Sequence, residues 1–516
     1  MSSSGAPNAL LTSVGNEQSF SDPPLDSQVL DLLLKRARNL ETNIGKLPNE
    51  TLSEIFTWVI GIYKSQSSFE SELQWFFILS ICSRWRSIVI ERASHWSTIW
   101  LDWNPSIVQL FITRSGNHAL NINTFSAISP KDVQCANTSE LIASNTPRIS
   151  SLSVTWTGYY TEPPYGGFVN LSKFMAEKQA TSFPQLTEAV FASESLLEFH
   201  DVLDVHAPKL QYLHLRNVQL NADSWSALTQ LTHLHLDCGG SLGYQDVIYI
   251  LEKVSHLRSC HIFTQCKFMG THIRPPSSPG RIDMKSLERL TIDYIDWPDL
   301  TDIVNYLTIS PTTSIELVVT NETEAAVDVI FAPLIAPRMQ LHDSLEITSE
   351  TVTLTSRDQI GSLDVRVYEW SEGDCLTDSM LVFISGSSAL FEHLTVLILV
   401  NYPQNPDDPR EDILRPAFAV LSNLRDLSVL HSRNASAVFK AFKSQTFFCP
   451  HLSRLDLKDS SYPPELLLEF VHDRRSRGAR IQWIQIDEGR GDHSLALQIR
   501  AEVGELVKVP SRRYRH

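Results

Sequence analysis

The sequence predicts an α/β chain: a short all-α domain followed by a solenoid of strand-and-helix repeats, with parallel strands on its concave face and helices outside. Three observations predict it. An apolar pattern of the form Leu-x-x-Leu-x-Leu recurs through most of the chain beyond residue 104. Self-similar units of this kind bury a continuous core only by stacking on one another. Residues 44–103 lack the pattern and carry apolar side chains at helical spacing instead. Finally, 516 residues, 42% of them hydrophobic and 20% charged, supply enough apolar material for a large core and exclude global disorder.

Charge narrows the partners. Lys and Arg total 43 against 59 Asp and Glu, a net of −16. A whole-chain cationic footprint is therefore absent, and neither nucleic acid nor a membrane is expected as a partner. The first twenty residues show no basic and apolar signal-peptide pattern. The longest apolar stretches, around 75–82 and 394–400, are too short to cross ~30 Å of hydrocarbon. The cysteines are odd in number and scattered, which reads as reduced thiols in cytoplasm and/or nucleus.

In chain order, residues 1–25 are rich in Ser, Pro, Asn and Gly and are expected to be disordered. An amphipathic lead helix follows over 26–43, with Val29, Leu33, Ala37 and Leu40 on one stripe. The stripe suits packing on the next domain, and a short self-associating coiled coil is the alternative. Pro48 then sits where a helix starts, a position that needs no N–H. Leu52, Ile55, Phe56 and Val59 recur at helical spacing, a polar loop spans 61–71, and a second helix is expected over 73–89. That helix is apolar on two sides: Phe77, Ile81, Trp85 and Ile88 on one, Phe76, Leu79, Cys82 and Val89 on much of the rest. A surface helix needs one apolar face, and so small a domain does not readily bury two. The pattern favours a protein partner.

The motifs Leu47-Pro48-x-Glu50-x-Leu52-x-x-Ile55-Phe56, Leu79-x-Ile81-Cys82-Ser83-Arg84-Trp85-Arg86 and His95-Trp96-Ser97-x-Ile99-Trp100 resemble an F-box, in the F-box-like form common in large fungal families. The span from Leu47 to Trp85 is longer than in compact F-boxes, and Trp96 stands where Leu is usual. The resemblance covers 44–103. It implies a three-helix domain docked on the Skp adaptor of a cullin–RING ubiquitin ligase. Leu47, Pro48, Leu52, Ile55, Phe56, Leu79, Ile81, Cys82 and Trp85 are the candidate adaptor contacts; which face the adaptor and which the repeat region is left open.

Residues 104–493 carry the repeats. The pattern appears at Ile149-Leu152-Val154, Leu210-Leu213-Leu215, Leu231-Leu234-Leu236, Leu257-Cys260-Ile262 and Leu287-Leu290-Ile292, and again at Leu394-Leu397-Leu399, Leu424-Leu427-Val429 and Leu452-Leu455-Leu457. Weaker copies begin at Leu186, Ile315 and Leu345, and 320–390 fits worst. Most spacings lie close to the leucine-rich-repeat period. Val218, Gly239 and Ile295 stand where such repeats usually place Asn or Cys, so the convex side is expected to be irregular. Pro- and Gly-rich loops are expected at 159–168, 272–283 and 401–412. A capping helix with Leu495, Ile499, Val503 and Leu506 on one face, then a basic tail, is expected over 494–516.

Alternation along a strand puts every second side chain on the opposite face. If the repeat leucines point inward, Tyr212, His214 and Arg216 point outward, followed by His233, His235 and Asp237, then His261 and Phe263, then Arg289 and Asp293. His214, His235 and His261 would form a ladder across neighbouring strands. This face is the candidate partner-binding surface; the alternative is a polar face with no specific contact. No metal site is assigned, because nothing in the pattern closes a tetrahedron. Charging the whole ladder near pH 6 is expected to be disfavoured. Val396, Ile398 and Val400 would form an outward apolar strip.

No phosphate-binding loop, dinucleotide fingerprint, zinc-protease motif or Cys-x-x-Cys is present. The cluster His256, Cys260, His261, Cys266 and His272 puts Cys260 at a core position, the place of a small hydrophobe. No cofactor and no catalysis by this chain are expected. The resulting expectation is a substrate-receptor subunit of a Skp–cullin–F-box ubiquitin ligase, with a target protein held on the concave face. The alternative is a non-catalytic repeat scaffold whose F-box-like segment is only a structural cap.

Overall fold

The structure, a computed structural model, describes residues 25–65, 71–124, 140–156, 182–193, 202–203, 205–237, 244–264, 281–320, 334–356, 361–368, 376–402, 410–443, 446–488 and 493–510. The expected disordered segment (all but residue 25), the loop 159–168, most of 272–283 and 401–412, and the basic tail lie outside them. The chain divides into two compact units: Met1–Thr98 with Gln109–His118, and Ile99–Val108 with Ala119–His516.

In the first unit, α1 spans Leu25–Glu41 and α2 spans Asn49–Ser65. A 3-10 turn, Ser71–Phe76, leads into α3, Phe77–Ile81, and then α4, Ser83–Glu91. The single helix expected over 73–89 is thus broken. Cys82 takes an extended conformation (φ −157°, ψ 164°) between α3 and α4, which re-aims the chain so that Ile78 before it and Val89 after it both reach the core. That core contains Leu52, Phe56, Ile60, Trp75, Ile78, Val89, Trp96 and Phe111. Trp96 is held from several sides. Its ring meets Trp75 at 5.4 Å and Phe111 at 5.0 Å, and its Nε1–H donates to the Val89 carbonyl at 3.1 Å. A buried Trp keeps its value only with that N–H satisfied.

The basic residues of the Cys82–Arg86 block are internal ties. Arg84 donates to Asn49 Oδ1 at 2.9 Å and to the carbonyls of Gly45 and Leu47, fastening the start of α2 to α4. Arg86 donates to the Leu79 carbonyl at 2.7 Å. His95 is buried with Nε2 3.0 Å from the Thr57 hydroxyl, and burial pushes its pKa down to about 4. The lead helix differs from expectation: Val29, Leu33 and Leu40 are each more than half exposed rather than packed.

The second unit is mixed α/β, dominated by a 17-stranded sheet among the described residues. From Leu120–Thr124 the strands follow in chain order, each parallel to the next: Ile149–Trp156, Glu188–Ser193, Tyr212–Arg216, His233–Asp237, Ser259–Phe263, Arg289–Asp296 and Ser314–Thr320. The repeat pattern marks them. Leu152, Ala189, Leu213, Leu234, Cys260, Leu290 and Ile315 are register partners in succession, and all are buried. The first leucine of each unit closes a turn instead. The amides of Leu210, Leu231, Leu257 and Leu287 each donate to the carbonyl three residues earlier, at 3.0–3.3 Å.

The poorly matching middle is not another copy of the unit. Ser344–Ile347 and Thr351–Thr355 form an antiparallel pair, and Leu363–Tyr368 returns antiparallel to the second of them. Leu363–Tyr368 pairs in parallel with Ser314–Thr320, while Ser344–Ile347 pairs in parallel with Val396–Val400. Regular parallel order then resumes through Asp426–Leu430, Arg454–Asp456, Trp483–Glu488 and Glu505–Pro510. Behind this end the helices Glu411–Val420, Ser436–Phe442 and Pro464–Ser476 stack aromatic rings: Phe418 on Phe442 at 4.4 Å, and Phe442 near Phe470 at 5.2 Å.

The expected C-terminal capping helix is shorter than predicted. The helix His493–Glu502 ends before Gly504, and Glu505–Pro510 becomes a strand with Leu506 opposite Ile484. Leu506 therefore leaves the helical face on which the sequence placed it, because Val507 and Val509 favour extended backbone.

Buried cations stitch irregular chain to the core. Arg474 donates to the carbonyls of Phe448 at 2.8 Å and Cys449 at 2.7 Å, and burial brings its pKa down to about 10. Arg338 donates to Leu334 and Ser310, and His342 bonds the carbonyls of Arg338 and Gly361. Gly361 has φ +62°, and a Cβ there would lie 2.6 Å from the Thr312 backbone. Both conditions demand glycine. Gly361→Ala should lower unfolding stability by more than about 1 kcal/mol, read as a lower urea midpoint at unchanged slope.

Candidate functional site

Two surfaces carry the candidate residues, one in each unit. In the first unit the nine candidate contacts separate by depth. Leu52 and Phe56 fill the unit's own core, with the Phe56 ring 4.9 Å from Trp85. Of the division that the sequence left open, these two fall on the inward side: the helix turns them into the core, where their burial holds α2 against α4. Leu47, Leu79, Cys82 and Trp85 are half-buried. Pro48, Ile55 and Ile81 are exposed.

Sequence reasoning missed the larger part of this surface. Trp58 is 77% exposed, and Ile62 and Phe77 are each about half exposed. Ile55, Trp58 and Ile62 are spaced three and four apart, a second apolar stripe on α2 opposite the buried one. The spacing was visible in the sequence, but starting the polar loop at residue 61 removed its last member, whereas the helix runs to Ser65. The Tyr63 ring lies 6.1 Å from Phe77, which brings α3 beside this end of α2. A fully formed core in front of an unspent apolar stripe is the signature of a contact surface.

In the second unit the outward residues form the expected ladder. His214 and His235 stack at 4.0 Å with rings 9° from parallel, and His235 and His261 at 4.2 Å. The parallel strands set this spacing, since the three residues are register partners. His261 Nε2 lies 2.7 Å from Asp293 Oδ2, and Arg216 pairs with Asp237 at 3.1 Å. Tyr212 lies beside His233, with ring centroids 6.5 Å apart. Arg289 is exposed in the same row of the sheet as Ser259. Burial lowers the His214 pKa, helped by the Arg216 charge. His235, in the middle, is brought down to about 4 by burial and by its two histidine neighbours, with Asp293 opposing.

Tyr294 joins this surface unpredicted. Strict alternation would turn it inward. A register shift between Asp293 and Ile295 turns it out, at φ +59°, with its ring 5.3 Å from Phe263. The available signal was a three-residue step from Ile292 to Ile295 where two was due. Val396, Ile398 and Val400 face outward and are half-buried.

The imidazoles are stacked face to face, so their ring nitrogens lie in successive layers. Among the described residues, no group of three or more His, Cys, Asp or Glu is arranged to hold a metal ion. Cys260 and Cys449 are buried, which pushes both thiols up to about 12 and keeps them from acting as nucleophiles at neutral pH. What the surface offers is imidazole edges, an aromatic corner at Phe263 and Tyr294, and Asp and Arg side chains. Such a mixture suits hydrogen bonding and aromatic contact with a polypeptide. Among the described residues, no helix is long and apolar enough to cross a membrane.

A scan against protein-family models finds no match for this chain, and no curated protein matches its sequence.

The ladder has a measurable consequence. His235 in the folded chain binds its proton near pH 4 against 6.5 for the free side chain. Between those values the unfolded chain holds more protons, so stability rises with pH. Its contribution is complete above about pH 6.5 and lost as pH falls through about 4. NMR titration of the His235 ring should show a midpoint near 4, and His235→Gln should flatten the acid limb of stability against pH; a midpoint near 6.5 would remove the effect.

Proposed function

We propose that this chain is a substrate-receptor subunit of a Skp–cullin–F-box ubiquitin ligase. The first unit would dock the Skp adaptor, and the outward sheet face of a leucine-rich-repeat-like region would hold the target protein. The observation that carries the reading is the apolar stripe of Ile55, Trp58 and Ile62 on α2, with Phe77 and Ile81 on α3, left exposed beside a completed core. The F-box-like motifs from Leu47 to Trp100 agree with it, and so does the in-register parallel sheet. In such a complex the chain contributes no bond-making group. It raises the effective concentration of the target beside the transferring enzyme. The role belongs to the cytoplasm or nucleus.

The scaffold reading is favoured by one observation, the burial of Leu52 and Phe56, which a purely structural cap requires. The two readings differ over the exposed stripe. Trp58→Asp should leave the thermal midpoint near that of the wild type, since that side chain is 77% exposed. Binding of the full chain to purified Skp adaptor should weaken by at least about 100-fold. Phe56→Ala, in contrast, should cost about 3 kcal/mol or more of stability through lost packing. Failure of the wild-type chain to bind the adaptor would leave the scaffold reading standing.

A further inference from the structure

Helix α1 exposes more aliphatic surface than any monomeric role requires. Val29, Leu30, Leu32, Leu33, Leu34 and Leu40 are each 51–59% exposed. A helix apolar over so much of its circumference is normally covered. Seventeen residues, the length of α1, also sit near the limit at which a helix holds together in water without a partner.

The order of the residues selects the partner. Of the seven possible heptad registers, one places apolar residues at four of the five core positions within the helix: Leu30 and Ala37 at a, Leu33 and Leu40 at d, with only Asp26, at the first d, polar, and Ile44 at the next a just beyond the helix. Leucine at d is compatible with two strands. Val29 and Leu34 fall at the flanking g and e positions and widen the seam. Asp31 and Lys35, bonded to each other at 2.6 Å, fall at b and f, facing away. Leu32, at c, stays outside the seam. In a parallel pair, a g side chain meets the e side chain five residues further along the partner. Here that pairs Arg36 with Glu41, twice by symmetry. An antiparallel pair sets g against g and e against e, and forfeits both attractions.

We infer that α1 is a self-association helix through which two copies of this chain pair as a short parallel coiled coil. This goes beyond the receptor reading and does not depend on it, since neither the adaptor nor a target takes part. A seam of about two heptads supplies a weak dimer, with dissociation in the micromolar range.

Sedimentation velocity of the full chain, without adaptor, tests it. The mass should move from 58.3 kDa toward twice that between about 1 and 100 µM. Leu33→Asp with Leu40→Asp should hold the chain monomeric throughout, with the main circular-dichroism melting transition near that of the wild type, since neither side chain belongs to the buried core. Arg36→Glu alone and Glu41→Arg alone should each weaken the dimer about tenfold, by setting like charges across both flanks. The two changes together should restore it. A wild-type chain that stays monomeric across the range overturns the proposal, as does a dimer that survives the double Asp substitution. Absence of rescue by the charge exchange overturns the parallel arrangement.

Discussion

Everything in the second unit hangs on one constraint: an inward-facing aliphatic side chain on each parallel strand is covered by its register partners on the neighbouring strands. Leu213 rests against Leu234, Leu234 against Cys260, and Cys260 against Leu290. A one-residue slip anywhere in this row would turn a strand's leucines outward and its polar residues inward. The register that buries the leucines is therefore also the register that aligns His214, His235 and His261. The imidazole stack follows from the core without a separate instruction. The low proton affinity of His214 and His235 follows as well, because packing in the stack strips water from both rings.

The first unit solves a different problem. A small helical domain has few residues with which to exclude water, and this one concentrates Trp75, Trp96 and Phe111 in a single cluster. Arginines do the remaining fastening through backbone carbonyls, Arg84 being the clearest case. The motif that resembles an F-box is thus largely an internal arrangement of packing and ties. What is offered outward combines the motif positions Ile55 and Ile81 with Trp58, Ile62 and Phe77, which lie between the motifs.

That division explains what could be read from the residues alone. Spacing reports burial, so the strands carrying the leucine pattern, their inward rows and the outward ladder were legible. Spacing does not report where a backbone bends. The break at Cys82, the register shift that exposes Tyr294 and the turn to strand after Gly504 each change one or two dihedral angles while the apolar count stays the same. Partner choice is equally invisible. Leu345 looks like a weak copy of the repeat, but nothing in its neighbourhood says that its strand pairs with residues 396–400 rather than with 314–320. Exposure on α2 was obscured by a misplaced helix end, and exposure on α1 by the assumption that an apolar stripe in a large chain finds cover within it.

The inverted order in the middle of the sheet has a bearing on how the second unit comes apart. Ser344–Ile347 precedes Leu363–Tyr368 in the chain, yet it seals the edge of the later parallel run, while Leu363–Tyr368 seals the edge of the earlier one. Each run has lent a strand across the other. A nick between residues 347 and 363 would not release two independent halves, because each fragment would carry away the piece that closes its neighbour. Stacked-repeat proteins commonly fray from their ends one unit at a time. Here the two runs cannot part without breaking both parallel pairings at their junction.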